Sequence, residues 1–175
     1  MAVLAAGLIL NLVNRARMTS PWITFFNSGA CNACDIDIIS CLMPRFDLER
    51  FGILAKGSPR HADILIVTSH VTLKQASRLR RVWEQISELK HVITMGACGA
   101  SGGVFHGLYH MMDRVDKVIP IDVYLAGRPP CPDEIITAFV TCLHLLEEDP
   151  DHGGKEWRQK KPLSGMDTKG FPVIP

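Results

Sequence analysis

Two short, nearly continuous apolar runs stand out in the middle of the chain. Ala62–Thr68 and His91–Met95 show little polar alternation, which is the pattern of strands covered on both faces. Between them, Leu73–Leu89 has apolar residues at helical spacing and a polar face that carries Arg78 and Arg81. The middle of the chain therefore predicts a strand, a helix and a second strand, which is the unit that builds parallel sheets.

The same alternation continues on both sides of this unit. The other predicted elements are the strand Trp22–Phe26, the helix Ile36–Met43, the strand Lys117–Leu125 and the helix Ile135–Glu148. Strands that alternate with helices predict a three-layer α/β domain with a mostly parallel sheet. In such sheets, functional sites lie outside the carboxyl ends of the strands.

The two ends of the chain lack this alternation. Residues 1–19 include the apolar run Ala2–Leu10, which is too short to span a membrane and lacks the basic start of a secretory signal. For this segment we favour contact with a partner or with the membrane surface over packing on its own domain. Residues 149–175 carry Pro, Gly and Lys without periodicity and predict an extended tail. The α/β domain is expected to occupy residues 20–148.

Composition restricts the possible functions. The 175 residues include 19 Lys and Arg against 18 Asp and Glu, so the chain has no basic field of the kind that binds nucleic acid. A chain of this length is sufficient for one domain with a substantial core. Without an export signal, the expected setting is the reducing cytoplasm, where thiols persist.

Four of the six cysteines lie in turns marked by Gly or Pro. Cys31 and Cys34 are separated by two residues, whereas Cys98 and Cys131 stand alone. The three turns each follow a predicted strand, which places all four thiols at one edge of the sheet. Four such thiolates can hold an iron-sulfur cluster. A redox dithiol or a zinc site remains an alternative, although zinc is usually bound by two close pairs.

The remaining two cysteines and the glycine-rich turn have different expected roles. Cys41 and Cys142 lie inside apolar runs and are expected to be buried structural residues. The turn Gly99–Gly103 lacks the Lys-Ser/Thr end of a phosphate-binding loop. We interpret its glycines as allowing the backbone to pass close to a cluster and to donate N–H groups to its sulfurs.

Several longer runs carry a family resemblance. The runs are Cys31–Ile38, Pro44–Gly52, Gly57–Asp63, Gly96–Gly103 and Asp116–Tyr124. They resemble the iron-sulfur small subunits of group 4, membrane-bound, energy-converting NiFe hydrogenases and the related cluster-bearing B-type subunit of respiratory complex I. The complex I branch typically has adjacent cysteines at the first position, so the Cys-x-x-Cys spacing here favours the hydrogenase branch.

The resemblance implies a flavodoxin-like fold and one 4Fe-4S cluster bound by Cys31, Cys34, Cys98 and Cys131. It also implies a peripheral subunit at the cytoplasmic face of the membrane that relays electrons and has no turnover alone. Its partners would be a ferredoxin-like two-cluster subunit as donor, a large subunit that holds the NiFe centre, and membrane subunits. Hydrogen evolution in the large subunit would be coupled to ion translocation.

One departure from the family pattern concerns the last cysteine. Relatives have Gly-Cys-Pro-Pro-Arg-Pro, whereas this chain reads Gly127-Arg128-Pro129-Pro130-Cys131-Pro132. Either the loop moves to bring Cys131 inward, or the fourth ligand is lost and Arg128 takes its place. At the level of sequence we favour Cys131 as the ligand, because no other thiol is expected nearby.

A second departure is Asp37, where hydrogenase relatives often have Glu. The resemblance implies a role in proton transfer toward the metal centre, with a reach altered by the shorter side chain. An acidic residue near a helix start also has an ordinary structural role, because it interacts favourably with the helix dipole. The sequence leaves both roles open.

Two other functions remain open. The chain could serve a complex I-like quinone oxidoreductase, or a related membrane oxidoreductase without nickel. From a different class, it could be a zinc- or flavin-binding flavodoxin-like module in which Cys31 and Cys34 form a redox or zinc pair.

Overall fold

A parallel β-sheet lies at the centre of the molecule. The computed structural model describes residues 12–148 except 14, 18, 30, 88 and 89, with side chains described up to residue 145. Within these residues the strands are β1 (Trp22–Asn27), β2 (Leu54–Ala55), β3 (Ile64–Thr68), β4 (Val71–Thr72), β5 (His91–Met95), β6 (Met111–Met112) and β7 (Val123–Leu125). The helices that follow the strands are α1 (Ala33–Cys41), α2 (Leu73–Gln85), α3 (Ala97–Ser101) and α4 (Pro132–Glu148).

The order of the strands identifies the topology. Five strands form one sheet in the order β2-β1-β3-β5-β7, and every neighbouring pair is parallel. Numbered within this sheet, the order is 2-1-3-4-5, which is that of flavodoxin-like folds. β4 and β6 form a separate antiparallel ribbon. The predicted α/β domain with a mostly parallel sheet is confirmed.

Alternate residues of β3 serve two separate cores. Ile64 and Ile66 pack in one core with α1 and α4, whereas Leu65 and Val67 pack in the other with α2. This division follows from the two-residue period of a strand. The continuous apolar run seen in the sequence is thus explained by a sheet that is covered on both faces. Full burial of a side chain such as Phe139 contributes about 1.5–3 kcal/mol.

Several predicted elements have different bounds in the structure; the helix predicted over Leu73–Leu89 ends at Gln85, and the one predicted from Ile135 begins at Pro132. The predicted strand Lys117–Leu125 is wrong except for Val123–Leu125, because Val115–Lys117 forms a 3-10 turn and Pro120 lacks the N–H that a ladder requires. The predicted helix Ile36–Met43 begins earlier, at Ala33, and ends at Cys41. This earlier start places Cys34 in the first turn of α1.

The ends of the chain are described only in part. Residues 12, 13, 15–17 and 19 are helical, and the Arg17 side chain donates to the Asp63 carboxylate at the start of β3. Most of the predicted contact segment 1–19, and the whole predicted tail 149–175, lie outside the described residues. In the part of the chain that is described, no helix combines the length and hydropathy needed to cross a bilayer.

Candidate functional site

The three cysteine turns all leave the carboxyl edge of the sheet. β1 leads to Cys31 and to Cys34 in the first turn of α1, and β5 leads to Cys98 in the first turn of α3. β7 leads to Cys131, which immediately precedes α4. Because parallel strands end at the same edge, residues far apart in the sequence come together there.

A cavity of about 230 Å³ lies between these turns. It offers room for several water-sized groups. Three of the four predicted ligands, Cys31, Cys34 and Cys98, line it, and Cys131 is not among the lining residues. The other lining residues are Ala33, Ser69, Gly96, Val104, Phe105, Gly127, Arg128 and Pro129.

Two glycines bring backbone against the sulfurs. Gly96 has φ +91°, and a Cβ there would lie 3.0 Å from Cys34 Sγ. Gly103 has φ +53°, and a Cβ there would lie 3.2 Å from Cys98 Sγ. Any larger residue would combine an unfavourable left-handed conformation with crowding of a thiol. The backbone can therefore approach a sulfur-rich group closely, which fits an iron-sulfur cluster that accepts N–H hydrogen bonds.

Burial and nearby negative charge oppose ionisation of Cys34. Desolvation, and then the charges of Cys31, Asp35, Cys98 and Asp37, raise the pKa of Cys34 to about 11. A thiolate at this position needs a compensating cation, and bound iron is such a charge. The chemistry of the lining thiols thus fits a metal cluster better than a free reactive thiol.

The two cysteines predicted to be structural are remote from this chemistry. Cys41 and Cys142 are fully buried in the apolar core. Burial is the largest cause that raises the pKa of Cys41 to about 11 and that of Cys142 to about 12. Both thiols stay protonated at neutral pH, and the prediction of buried cysteines is confirmed.

Cys131 is held at the start of α4. It is exposed, its backbone N–H donates to Glu134 Oε2 at 2.9 Å, and its carbonyl accepts from Ile135 N at 3.1 Å. The residue that enters the lining from this loop is Arg128. The structure therefore brings three of the four predicted thiols together. In place of a fourth thiol, the loop after β7 contributes Arg128 to the cavity lining.

A buried carboxylate that the sequence did not reveal holds the first cysteine turn in place. Asp35 is only 5% exposed. It accepts hydrogen bonds from Thr68 Oγ1 at 2.8 Å and from the Asn27 side chain. These contacts join the first turn of α1 to the ends of β1 and β3. From the sequence alone, Asp35 is only an acidic residue beside a predicted helix start.

Ser28 and His70 complete the support of the same turn. Ser28 Oγ lies within donating distance of two backbone carbonyls at and just after the end of β3, with Thr68 O at 2.8 Å and His70 O at 2.9 Å. The buried His70 ring packs on Phe105 with a centroid distance of 4.2 Å, and burial lowers the pKa of His70. His70 thus connects the Cys31 turn with the segment that follows Cys98. No motif in the sequence indicated this role.

Asp37 lies on α1 near two thiols. Its charge contributes to the raised pKa values of Cys34 and Cys41. Its Oδ2 atom is buried and has no hydrogen-bond partner among the described residues. A partly buried carboxylate with a free oxygen is suited to exchanging a proton, so the proton-transfer role stays a prediction.

Among the described residues, no three His, Cys, Asp or Glu side chains are arranged around a single metal-ion position. The ligands of a four-iron cluster are distributed over different irons of a larger group. The spacing of the thiols around the cavity therefore fits the ligands of a cluster better than those of a single metal ion.

The fold and the cavity define the class: a flavodoxin-like α/β domain whose candidate site is built from cysteines at the carboxyl edge of its sheet. Comparison with protein families gives the particular assignment. The family of the NADH ubiquinone oxidoreductase 20 kDa subunit matches residues 31–142, and the chain belongs to this family.

The curated relatives include subunits of a hydrogenase and of a quinone oxidoreductase. The chain is 45% identical over 142 residues to a probable membrane-bound hydrogenase subunit mbhJ of Pyrococcus furiosus, with coverage of 78% of this chain and 85% of the relative. It is 41% identical over 138 residues to the B-type subunit of an NADH-quinone oxidoreductase from Chlorobium limicola, with coverage of 78% and 71%. These relatives are subunits of oxidoreductase complexes, as predicted.

A solved structure supports the same assignment. A chain of the membrane-bound sulfane sulfur reductase, an archaeal respiratory membrane complex, is 33% identical and superimposes with a TM-score of 0.74. The match covers 85% of this chain and 82% of that chain. The predicted family is therefore confirmed by sequence and by fold.

Proposed function

We propose that this chain is the electron-relay subunit of a membrane-bound NiFe hydrogenase complex and holds one 4Fe-4S cluster. The observation that carries the proposal is the convergence of Cys31, Cys34 and Cys98 on one cavity at the carboxyl edge of the sheet. Thiolates from separate turns around a cavity of this kind are what a cluster requires. The similarity to a probable hydrogenase subunit supports the same function.

In this proposal, the bound cluster supplies one-electron transfer, and the protein controls its environment. The three thiols hold the iron, while Gly96 and Gly103 let the backbone approach the sulfurs. Asp35 and Ser28 hold the turn that carries the first two thiols. Burial and hydrogen bonding are the means by which a protein sets a cluster potential. Asp37 is proposed to exchange a proton near the same site.

The proposed partners follow from the relay function. Electrons would arrive from a ferredoxin-like two-cluster subunit and leave to a large subunit that contains the NiFe centre. Membrane subunits would place this chain as a peripheral component on the cytoplasmic face. The names of two relatives, a membrane-bound hydrogenase subunit and a membrane-bound reductase, support assembly into a membrane complex.

In the leading alternative, this chain also relays electrons, but the large subunit of the complex contains no nickel. The B-type relative from an NADH-quinone oxidoreductase is nearly as similar as the hydrogenase relative, at 41% against 45% identity. The Cys31-x-x-Cys34 spacing favours the hydrogenase branch. The two functions differ in the metal content of the large subunit rather than in this chain.

Metal analysis of the native complex, purified without oxygen, tests these functions together. We expect iron and acid-labile sulfide in this chain and nickel in the co-purified large subunit. Iron and sulfide without nickel would favour the complex I-like alternative. A colourless chain with zinc and no sulfide would overturn the cluster and support a zinc module, and a bound flavin would support the flavodoxin-like alternative.

A further inference from the structure

The loop after β7 presents an arginine to the cavity where the other turns present thiols. Arg128 is a lining residue, together with Cys31, Cys34 and Cys98, whereas Cys131 is not. Among the described residues, Arg128 has no hydrogen-bond or ion-pair partner. A guanidinium without a counter-ion is thus available at a cavity whose other polar lining is mainly sulfur.

Backbone contacts fix Arg128 beside the third thiol. The Gly127 carbonyl accepts from Ala97 N at 2.8 Å, one residue before Cys98. Gly127 has φ +154°, and a Cβ there would overlap with Pro130 Cα, so the loop is tightly folded at this point. The residue that follows Gly127 is therefore held against the Cys98 turn.

Cys131 is fixed by a different set of contacts. Its backbone N–H donates to the Glu134 carboxylate and its carbonyl accepts from Ile135 N. Both contacts belong to the first turn of α4, so Cys131 serves as the start of the helix. With its backbone held at the helix start and its side chain exposed, Cys131 stays outside the cavity lining.

Arginine cannot replace a thiolate as an iron ligand. A guanidinium has five N–H donors and no free lone pair, and it stays protonated in proteins. It pairs well with anions through charge-assisted hydrogen bonds. A positive charge at this corner also favours the more negative, reduced form of a cluster.

We propose that this chain binds its cluster through Cys31, Cys34 and Cys98 alone, and that Arg128 makes the fourth corner a binding position for a small anion on the iron without a cysteine. This inference rests on the proposed cluster function. The ligand class is a small anionic donor, such as hydroxide or a thiolate, that bonds to iron and accepts hydrogen bonds from the guanidinium.

The first test compares iron and sulfide content in the full chain prepared without oxygen. Cys131→Ser is expected to retain the wild-type content of about four irons, and Cys98→Ser is expected to lose most of it. Equal losses in the two variants would overturn the inference. Because Cys131 is exposed, its replacement should not disturb folding, and far-ultraviolet circular dichroism checks this point.

The second test uses cyanide as the anion and electron paramagnetic resonance of the reduced cluster as the readout. We expect cyanide to shift the spectrum of the wild-type chain, with affinity about tenfold weaker in Arg128→Gln and largely kept in Arg128→Lys. Arg128→Cys, which offers a fourth thiol, should abolish the shift. An unshifted wild-type spectrum would overturn the inference while the cluster itself stands. A wild-type chain without iron and sulfide would instead overturn the proposed function.

Discussion

The two edges of the parallel sheet use polar residues in different ways. At the carboxyl edge, three thiols, Gly96 and Arg128 line a cavity, and Gly103 lies against the thiol of Cys98. At the amino edge, polar side chains are paired within the protein: Asp63 with Arg17 and Trp22 N, and Lys90 with backbone carbonyls of α2 and the following turn. One edge leaves thiols and Arg128 facing a cavity, whereas at the other edge Asp63 and Lys90 are bonded to groups of the protein itself.

Asp122 shows the structural use of charge at the amino edge. Its Oδ2 accepts from Val92 N at 2.7 Å and lies 3.5 Å from His91 Nδ1. The contact ties the start of β7 to the start of β5. Burial of a charged residue therefore does not by itself indicate function; the relevant difference is whether the group faces a cavity or another part of the fold.

The largest effect is expected on iron content, when substitutions of two cysteines on the same helix are compared. Cys34 and Cys41 lie on α1, and the pKa of each thiol is raised to about 11, yet only Cys34 lines the cavity. We expect Cys34→Ser to lose most of its iron and sulfide and Cys41→Ser to keep them. Metal analysis of the two variants measures this difference, and similar iron loss in both would remove the distinction between site and core.

The next effect concerns the two buried carboxylates. Asp35→Ala removes two hydrogen bonds to a buried charge and should lower the free energy of unfolding by about 2–3 kcal/mol, with loss of cluster. Asp122→Ala leaves Val92 N unpaired and should cost about 1–3 kcal/mol, with iron content unchanged. Urea denaturation of the metal-free chains and iron analysis of the loaded chains check both parts. Cluster loss in Asp122→Ala at a temperature where the chain is folded would contradict the comparison.

A smaller effect is expected at two glycines with left-handed backbone. Gly103→Ala and Gly107→Ala share an unfavourable φ, of +53° and +73°, but only Gly103 lies near a sulfur. Each substitution should cost about 1–2 kcal/mol from the backbone alone. Gly103→Ala should additionally shift the reduction potential of the cluster, measured by redox titration. An equal potential in both variants would show that the contact with Cys98 has no influence.

The smallest effect is a pH dependence of the metal-free chain. Burial, and then the charge of Asp122, raises the pKa of Cys142 from 9.0 to about 12. The unfolded chain therefore releases this proton first, so stability is full below about pH 9 and falls as pH rises toward 12. Cys142→Ala should have a shallower decline in that window, as measured by thermal unfolding at several pH values. An unchanged slope would mean that other groups cause the alkaline loss.

The predictable part of the fold came from local patterns. Ala62–Thr68 and His91–Met95 contain β3 and β5 because a sheet covered on both faces demands continuous apolar residues. The two-residue strand β2 is too short to produce a pattern. The start of α1 at Ala33 was missed because the apolar run that marks the helix begins only at Ile36.

For the site, the sequence by itself determined that cysteine turns follow the strands, and parallel topology brings such turns to one edge. Only the tertiary structure decided which side chains enter the cavity. Asp35, Ser28 and His70 gained their positions from contacts with β3 and Phe105, far away in the sequence. The tight path of Gly127–Pro130 likewise directed Arg128 inward and left Cys131 on α4. Motif spacing limits which residues can meet, whereas packing and backbone hydrogen bonds between distant segments decide which of them do.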